Sequence, residues 1–307
     1  MPSLDRALLA EHASYVREGV RERMFHLESG EDRLFAILTE PDEGPRSELG
    51  FIVAHSFGLE VLTLRRAERG ISRALAAAGH PVLFVHRRGF ADSTGEPLDT
   101  TLDRQLDDLR LATSWLRSEA GTARIGAIGC RFGGLLAGIL GSEGSAERLL
   151  LVQPVVSGAR YTKGFVREMQ VVRMADPDGT DRRSLEQMLD DMHRAGALDV
   201  LGYAMPASLY DGLAAVDLTV DIGSFKGDAL LVQVAKRPAL AKDFESLRDR
   251  VVANGGSCET RIVREPAGST FGSASFVATT ADLTVRTDVM EPVVDELGRL
   301  AAAWTGA

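Results

Sequence analysis

Cysteine is scarce in this sequence: two residues, Cys130 and Cys258, in 307. A disulfide framework is excluded, and a reducing, cytoplasmic setting is expected. Long apolar runs are missing too. The longest, Gly133 to Gly141, falls far short of the roughly 20 residues needed to cross a bilayer. Met1 to Arg17 carries charges throughout and no apolar core, which predicts no secretory leader. Excess positive charge is lacking: 35 Lys and Arg against 44 Asp and Glu give a net charge of -9. That balance argues against nucleic acid or an anionic membrane as a partner. Cysteine, histidine and the acids show no metal-ligand spacing, and no H-x-x-x-H occurs, so neither a metal nor a cofactor is expected. The histidines stand at 12, 26, 55, 80, 86 and 193, and none follows His193.

What the chain does have is alternation. Short β-branched runs at Phe35–Leu38, Gly50–Ala54, Pro81–His86, Arg124–Gly129 and Leu149–Gln153 read as strands. Arg65 to Ala78 and Leu102 to Leu116 carry apolar residues at helical spacing, the first ending at Gly79. From Gly158 to about Leu218 the rhythm breaks into two charged helical stretches, 165–173 and 183–194, with no convincing strand. It resumes with strands at 229–234 and 258–263, a helix at 242–254 between them and a last helix at 288–304. This pattern predicts a mostly parallel, wound α/β sheet over 1–157 and 219–307, with a helical cap over 158–218.

Between a predicted strand and a predicted helix lies Ile128-Gly129-Cys130-Arg131-Phe132-Gly133-Gly134. In α/β-hydrolases the nucleophile occupies such a turn, framed by small residues as G-x-Nu-x-G. With Cys130 as the nucleophile the flanks are Ile128 and Phe132, both too large. With Arg131 they are Gly129 and Gly133, which fit. A dinucleotide-binding reading is weaker, since no G-x-G-x-x-G spacing occurs. His55-Ser56-Phe57-Gly58 follows an early strand where an oxyanion-hole loop belongs. Arg88-Gly89-Phe90-Ala91-Asp92-Ser93 resembles the G-x-G-x-S turn of the same fold. The triad acid and histidine are missing from their places, 235–238 and 264–271, and a guanidinium stays protonated and cannot attack a carbonyl.

Together, Phe57-Gly58-Leu59-Glu60 with Arg65-Arg66, Gly129-Cys130-Arg131-Phe132-Gly133, Gln153-Pro154-Val155-Val156-Ser157-Gly158 and Leu201-Gly202-Tyr203 resemble the exosortase-A-system-associated α/β-hydrolases of the second type. The resemblance runs from Gly50 to about Leu213, with the Q-P-V-x-S-G run its most specific part. It implies the α/β-hydrolase fold, an arginine at the elbow tip and a hydrolase label without a defined reaction. The chain departs from that pattern at Leu59 and near Phe271.

Arg131 has two readings: an anion receptor at a helix N-terminus, or one half of an ion pair with Glu60. His55 or Glu60 would move a proton, and amides around Phe57 and Phe132 would polarise a carbonyl. Cys130, His86, Arg88 and Tyr203 complete the candidate substrate-binding set. Cys130 also reads as a small core residue, His86 as a hydrogen-bonded spacer, Arg87-Arg88 as charges facing either the pocket or water, and Asp92 and Ser93 as turn formers. The stretch with Arg182-Arg183, Asp190-Asp191 and His193 reads as a solvated helix face. The expected function is action on, or binding of, a small acyl or anionic molecule under the cap. The chemistry would be hydrolysis by directly activated water, or a lyase, cyclisation or acyl-transfer step. The alternative is a non-catalytic binding or scaffold protein, and a homodimer is compatible with either.

Overall fold

The computed structural model describes residues 13–58, 60–175, 183–200, 202–266, 271 and 290–306. The chain enters through an antiparallel meander of β1 (Ser14–Arg17), β2 (Val20–Ser29) and β3 (Asp32–Pro41). Two-residue turns with positive φ join them, at Glu18 and Gly19 (53° and 77°) and at Gly30 (64°). Such turns match the twist of paired strands. β1 and β2 were not expected from the sequence, because Arg21, Glu22 and Arg23 interrupt any apolar run.

Alternating elements follow: β4 (Leu49–Ala54), α1 (Glu60–Ala77), β5 (Val82–Val85), α2 (Leu102–Glu119), β6 (Arg124–Cys130), α3 (Phe132–Ser142) and β7 (Arg148–Val152). Next come α4 (Gly158–Ala175), α5 (Leu185–Ala195), β8 (Ala197–Val200), β9 (Tyr203–Pro206), α6 (Ala207–Ala214) and α7 (Leu218–Asp221). β10 (Asp228–Ala235), α8 (Lys242–Ala253), β11 (Ser257–Arg264) and α9 (Glu291–Thr305) complete the described chain.

The main sheet has nine strands in the order β1-β2-β3-β5-β4-β6-β7-β10-β11. From β5 to β11 every neighbouring pair is parallel, and β3 meets β5 antiparallel. Parallel strands are covered on both faces, which is why β4 and β5 are buried at every position and read as unbroken apolar runs. One core packs Leu64, Ile71 and Leu75 of α1 with Val293 and Leu297 of α9 against the sheet. The other gathers α2, α3, α8 and the 158–218 segment on the opposite face.

That segment departs from expectation in one respect: β8 and β9 pair as an antiparallel hairpin apart from the main sheet. Four-residue strands are too short to show a period of two against the surrounding charges. α1 also starts five residues earlier than the predicted Arg65. Leu59, Arg182, Leu201, 267–270 and 288–289, which enter the sequence expectations, lie outside the described residues. No helix among the described residues is long and apolar enough to cross a membrane.

Candidate functional site

β6 ends at Cys130 and α3 begins at Phe132, so a single residue turns strand into helix. Arg131 does so with φ 50° and ψ -114°, a conformation that side-chain-bearing residues rarely adopt. Four backbone hydrogen bonds hold it, one of them from the Leu135 N–H to its carbonyl at 3.3 Å. Its N–H donates to the Val152 carbonyl at 3.0 Å, and its carbonyl accepts from the N–H groups of Gly134 at 2.9 Å and Val155 at 3.0 Å. Space dictates the flanking glycines. A Cβ on Gly129 would lie 2.1 Å from the Gly133 carbonyl oxygen, and one on Gly133 would lie 1.9 Å from that of Ala54.

The Arg131 side chain meets Glu60, the first residue of α1, with Nε donating to Oε1 at 3.1 Å. The Tyr161 hydroxyl of α4 donates to Glu60 Oε2 at 3.2 Å, and the Arg131 guanidinium lies 5.9 Å from the Tyr161 ring centre. Glu60 is buried and Arg131 is partly exposed. Burial first, and then the Glu60 charge, hold the Tyr161 phenol well above its ordinary pKa, so it remains a donor. Arg131 opens into a cavity of about 310 Å³ that Gln153, Ser157, Arg160, Tyr161 and Asp243 also line. Arg160 is itself paired with Asp243. Gln153, at φ 48°, accepts from the Val234 N–H through Oε1 at 3.0 Å, tying the end of β7 to β10 beside the cavity.

An aromatic cluster fills the space above the turn. Phe57 lies 5.5 Å from Phe132 and 5.8 Å from Phe165, and Tyr161 lies 6.2 Å from Phe132, between ring centres. Phe165 of α4 presses onto the loop after β4, leaving no room for a Cβ at Gly58.

On the far side of Phe57 is a second cavity of about 270 Å³, which Arg87, Phe90, Thr100, Tyr203 and Ala204 help to line. Arg87 is 9% exposed. Its Nη1 donates to the Ser56 carbonyl at 3.0 Å. Its guanidinium sits 4.8 Å from the Phe57 ring centre and 4.1 Å from that of Phe90.

Close to Arg87, and linked to it through Ser56, is a buried acid–base pair. His55 Nδ1 lies 2.7 Å from Glu68 Oε2, and Glu68 Oε1 accepts from the Ser56 N–H at 2.9 Å. Glu68 has no exposed surface. With a proton on Nδ1, Nε2 of His55 keeps a lone pair, and that atom is buried without a partner. His55 and His86 stack at 5.7 Å. Burial, and then the positive charges around it, push His86 down to about 3, so it is neutral at physiological pH.

Neither a protein-family model nor a curated protein matches the chain in sequence. Solved structures match it in shape. An esterase of Pyrococcus furiosus aligns with a TM-score of 0.60 at 15% identity, over 93% of this chain and 90% of its own. Est1E from Butyrivibrio proteoclasticus gives 0.58 at 13%, over 91% and 99%. An alpha-beta serine hydrolase homologue from Coxiella burnetii gives 0.54 at 15%, over 94% and 99%. The chain has the α/β-hydrolase fold. At such identities the likeness carries architecture and leaves chemistry to the site.

Within that hydrolase fold the expected residues separate into groups. Arg131 and Glu60 meet directly, while Phe57 and Phe132 belong to the aromatic cluster and Tyr203 lines the second cavity. His55 lies deeper, against a space of about 10 Å³ that it shares with Gln105 and Asp108. Three residues expected at the ligand are placed elsewhere. Cys130 is fully buried in the core between sheet and α1. Burial, and then the charges of Glu68 and Glu60, push its thiol well above its ordinary pKa. His86 is enclosed by Phe35, Phe84 and Phe90. Arg88 turns away to Asp32 at 2.6 Å and Asp108 at 2.8 Å, an ion network under the loop after β5. Ser93 is a turn former as expected, donating to the His86 carbonyl and accepting from the Phe35 N–H. Reading the sequence missed Glu68, Tyr161 and the particular role of Arg87. Glu68 had a signal, since it falls on the apolar stripe of α1 with Leu64, Ile71 and Leu75.

Proposed function

We propose that this protein is an atypical α/β-hydrolase-fold member. Arg131 stands in the nucleophile's place, and a small acyl or otherwise anionic molecule is received under a cap formed by residues 158–218. The observation that carries the reading is Arg131 itself. It occupies a positive-φ strand-to-helix turn at the N-terminus of α3, and its side chain opens into a cavity of mixed polar and apolar lining. In hydrolases that turn presents the nucleophile. Here it presents a permanent cation beside the unpaired N–H groups of a helix start. The G-x-R-x-G turn and the Gln153–Gly158 run beside the cavity support a place alongside the exosortase-A-system-associated group.

A guanidinium forms no acyl-enzyme, so chemistry at this site proceeds without a covalent intermediate. Water, or a group of the substrate, attacks a carbonyl polarised by the Phe132 and Phe57 amides. Glu60, in contact with both Arg131 and Tyr161, is better placed than His55 to move the proton, because His55 faces the smaller enclosed space.

A second reading, a binding or scaffold protein without turnover, is favoured by two observations. Glu60 matches the Arg131 charge, and the aromatic cluster fills the space above the turn. The test compares wild type with Arg131→Ala for turnover of p-nitrophenyl butyrate and calorimetric binding of butyrate, with folding checked by circular dichroism. The leading reading expects at least a tenfold loss in one of the two. A folded variant with both unchanged removes Arg131 as receptor. Wild type that neither turns over the ester nor binds butyrate favours the scaffold.

A further inference from the structure

We propose that the cavity beside Arg87 is a separate binding site for a small carboxylate with a flat apolar body. Arg87 is more than nine-tenths buried, yet among the described residues no carboxylate lies within 4.0 Å of it. Burial lowers its pKa to about 10, which leaves it fully charged at neutral pH. A buried cation without a counter-ion is costly unless something supplies one. The carboxylate whose charge acts on it is Glu68, whose two oxygens are already taken by His55 and the Ser56 N–H. One hydrogen bond, to the Ser56 carbonyl, uses one of five N–H groups.

The surroundings fit one kind of occupant. The lining residues include no Asp or Glu and no second Arg or Lys, so Arg87 sets the sign of the cavity. Phe57 and Phe90 hold the guanidinium between their faces, which fixes its plane and leaves its remaining N–H groups to a planar acceptor. Pro97, Ala91 and Ala204 supply apolar walls, and Tyr203, on the β8–β9 hairpin, lines the same cavity. The first cavity is different in kind, since both of its arginines meet carboxylates. A monocarboxylate on an aromatic or alicyclic ring therefore matches the second cavity better, where no protein carboxylate competes for the guanidinium.

The experiment is calorimetric titration of benzoate, with neutral benzamide as its isostere, into wild type, Arg87→Met, Arg131→Ala and Ala204→Trp. Wild type is expected to bind benzoate and to bind benzamide at least tenfold more weakly. Arg87→Met should weaken benzoate at least tenfold. Arg131→Ala should leave it within twofold, which separates this site from the one at the turn. Ala204→Trp fills the cavity from its rim with Arg87 intact and should abolish binding, so the proposal stays testable if Arg87→Met does not fold. Any of four results overturns it: no benzoate binding by wild type, equal binding of benzamide, binding unchanged in folded Arg87→Met, or full binding by Ala204→Trp.

Discussion

Arg131 and Arg87 stand on opposite sides of one aromatic cluster, and the protein treats the two cations differently. Arg131 is partly exposed and is met by a buried carboxylate, which a phenol also holds. Arg87 is the more deeply buried, yet phenyl faces and a single carbonyl are its company. A paired cation explains itself within the fold, whatever further use a ligand makes of it. An unpaired buried cation does not, because desolvation is repaid only in part by cation–π contact. The difference separates what the cavities are suited to hold: an acyl group or small anion that shares Arg131 with Glu60 in the first, a flat ring carboxylate that has the Arg87 charge to itself in the second.

The largest effect that could break this contrast is on stability. Glu60→Ala removes the buried carboxylate that Arg131 and Tyr161 share and should cost about 3 kcal/mol, the lower end for a broken buried pair because Arg131 reaches solvent. Arg87→Met, of similar volume and without charge, should stay within about 1 kcal/mol of wild type or gain. Urea denaturation measures both, and equal losses would make Arg87 as structurally committed as Arg131.

The acid–base pair of His55 and Glu68 gives the next effect. Glu68→Gln weakens a charge-assisted contact to His55 and should cost about 2 kcal/mol. Its melting temperature should fall by several degrees, and an unchanged value would show that the pair contributes nothing to the fold. His86 sharpens the picture through pH. Its folded pKa, about 3, lies below the unfolded value near 6.5. As pH falls the unfolded chain therefore takes the proton first. The stability is complete above the unfolded value and lost as pH drops toward the folded one, by roughly 2 kcal/mol at pH 5. His86→Phe should lose correspondingly less between pH 7 and pH 5, and parallel curves would contradict the shift. The smallest signal concerns the thiols. Burial raises Cys258 to about 11 and holds Cys130 well above its ordinary pKa, so iodoacetamide at pH 8 should leave the folded protein unmodified. Rapid alkylation at Cys130 would mean an exposed turn.

Much of the architecture was legible from the residues. Strands covered on both faces, such as Leu149–Val152 and Ala229–Val234, can only be built from continuous apolar side chains, and that continuity is visible without coordinates. β2 was not legible, because charges fall on both of its faces, Arg21 and Arg23 with Phe25 and Leu27 on one, Glu22 and Glu28 with Val20 and Met24 on the other. The site was legible where the backbone dictates the residue. Gly129 and Gly133 admit no Cβ, so their spacing alone located Arg131 on the turn. It was illegible where a charge is stabilised by distant chain. Arg87 and Arg88 are neighbours of the same type, and only the packing of Phe57 and Phe90 against one, and of Asp32 and Asp108 against the other, tells them apart. For the same reason the sequence could offer the Glu60–Arg131 pair only as an alternative.

The most direct test of the account is the intact mass of the folded protein after exposure to an alkyl fluorophosphonate. If Arg131 stands in the nucleophile's place, as proposed, no serine at the turn can be phosphonylated, and the mass should be unchanged. A stoichiometric adduct would contradict the account, because it would reveal an activated nucleophile that the arginine turn does not provide.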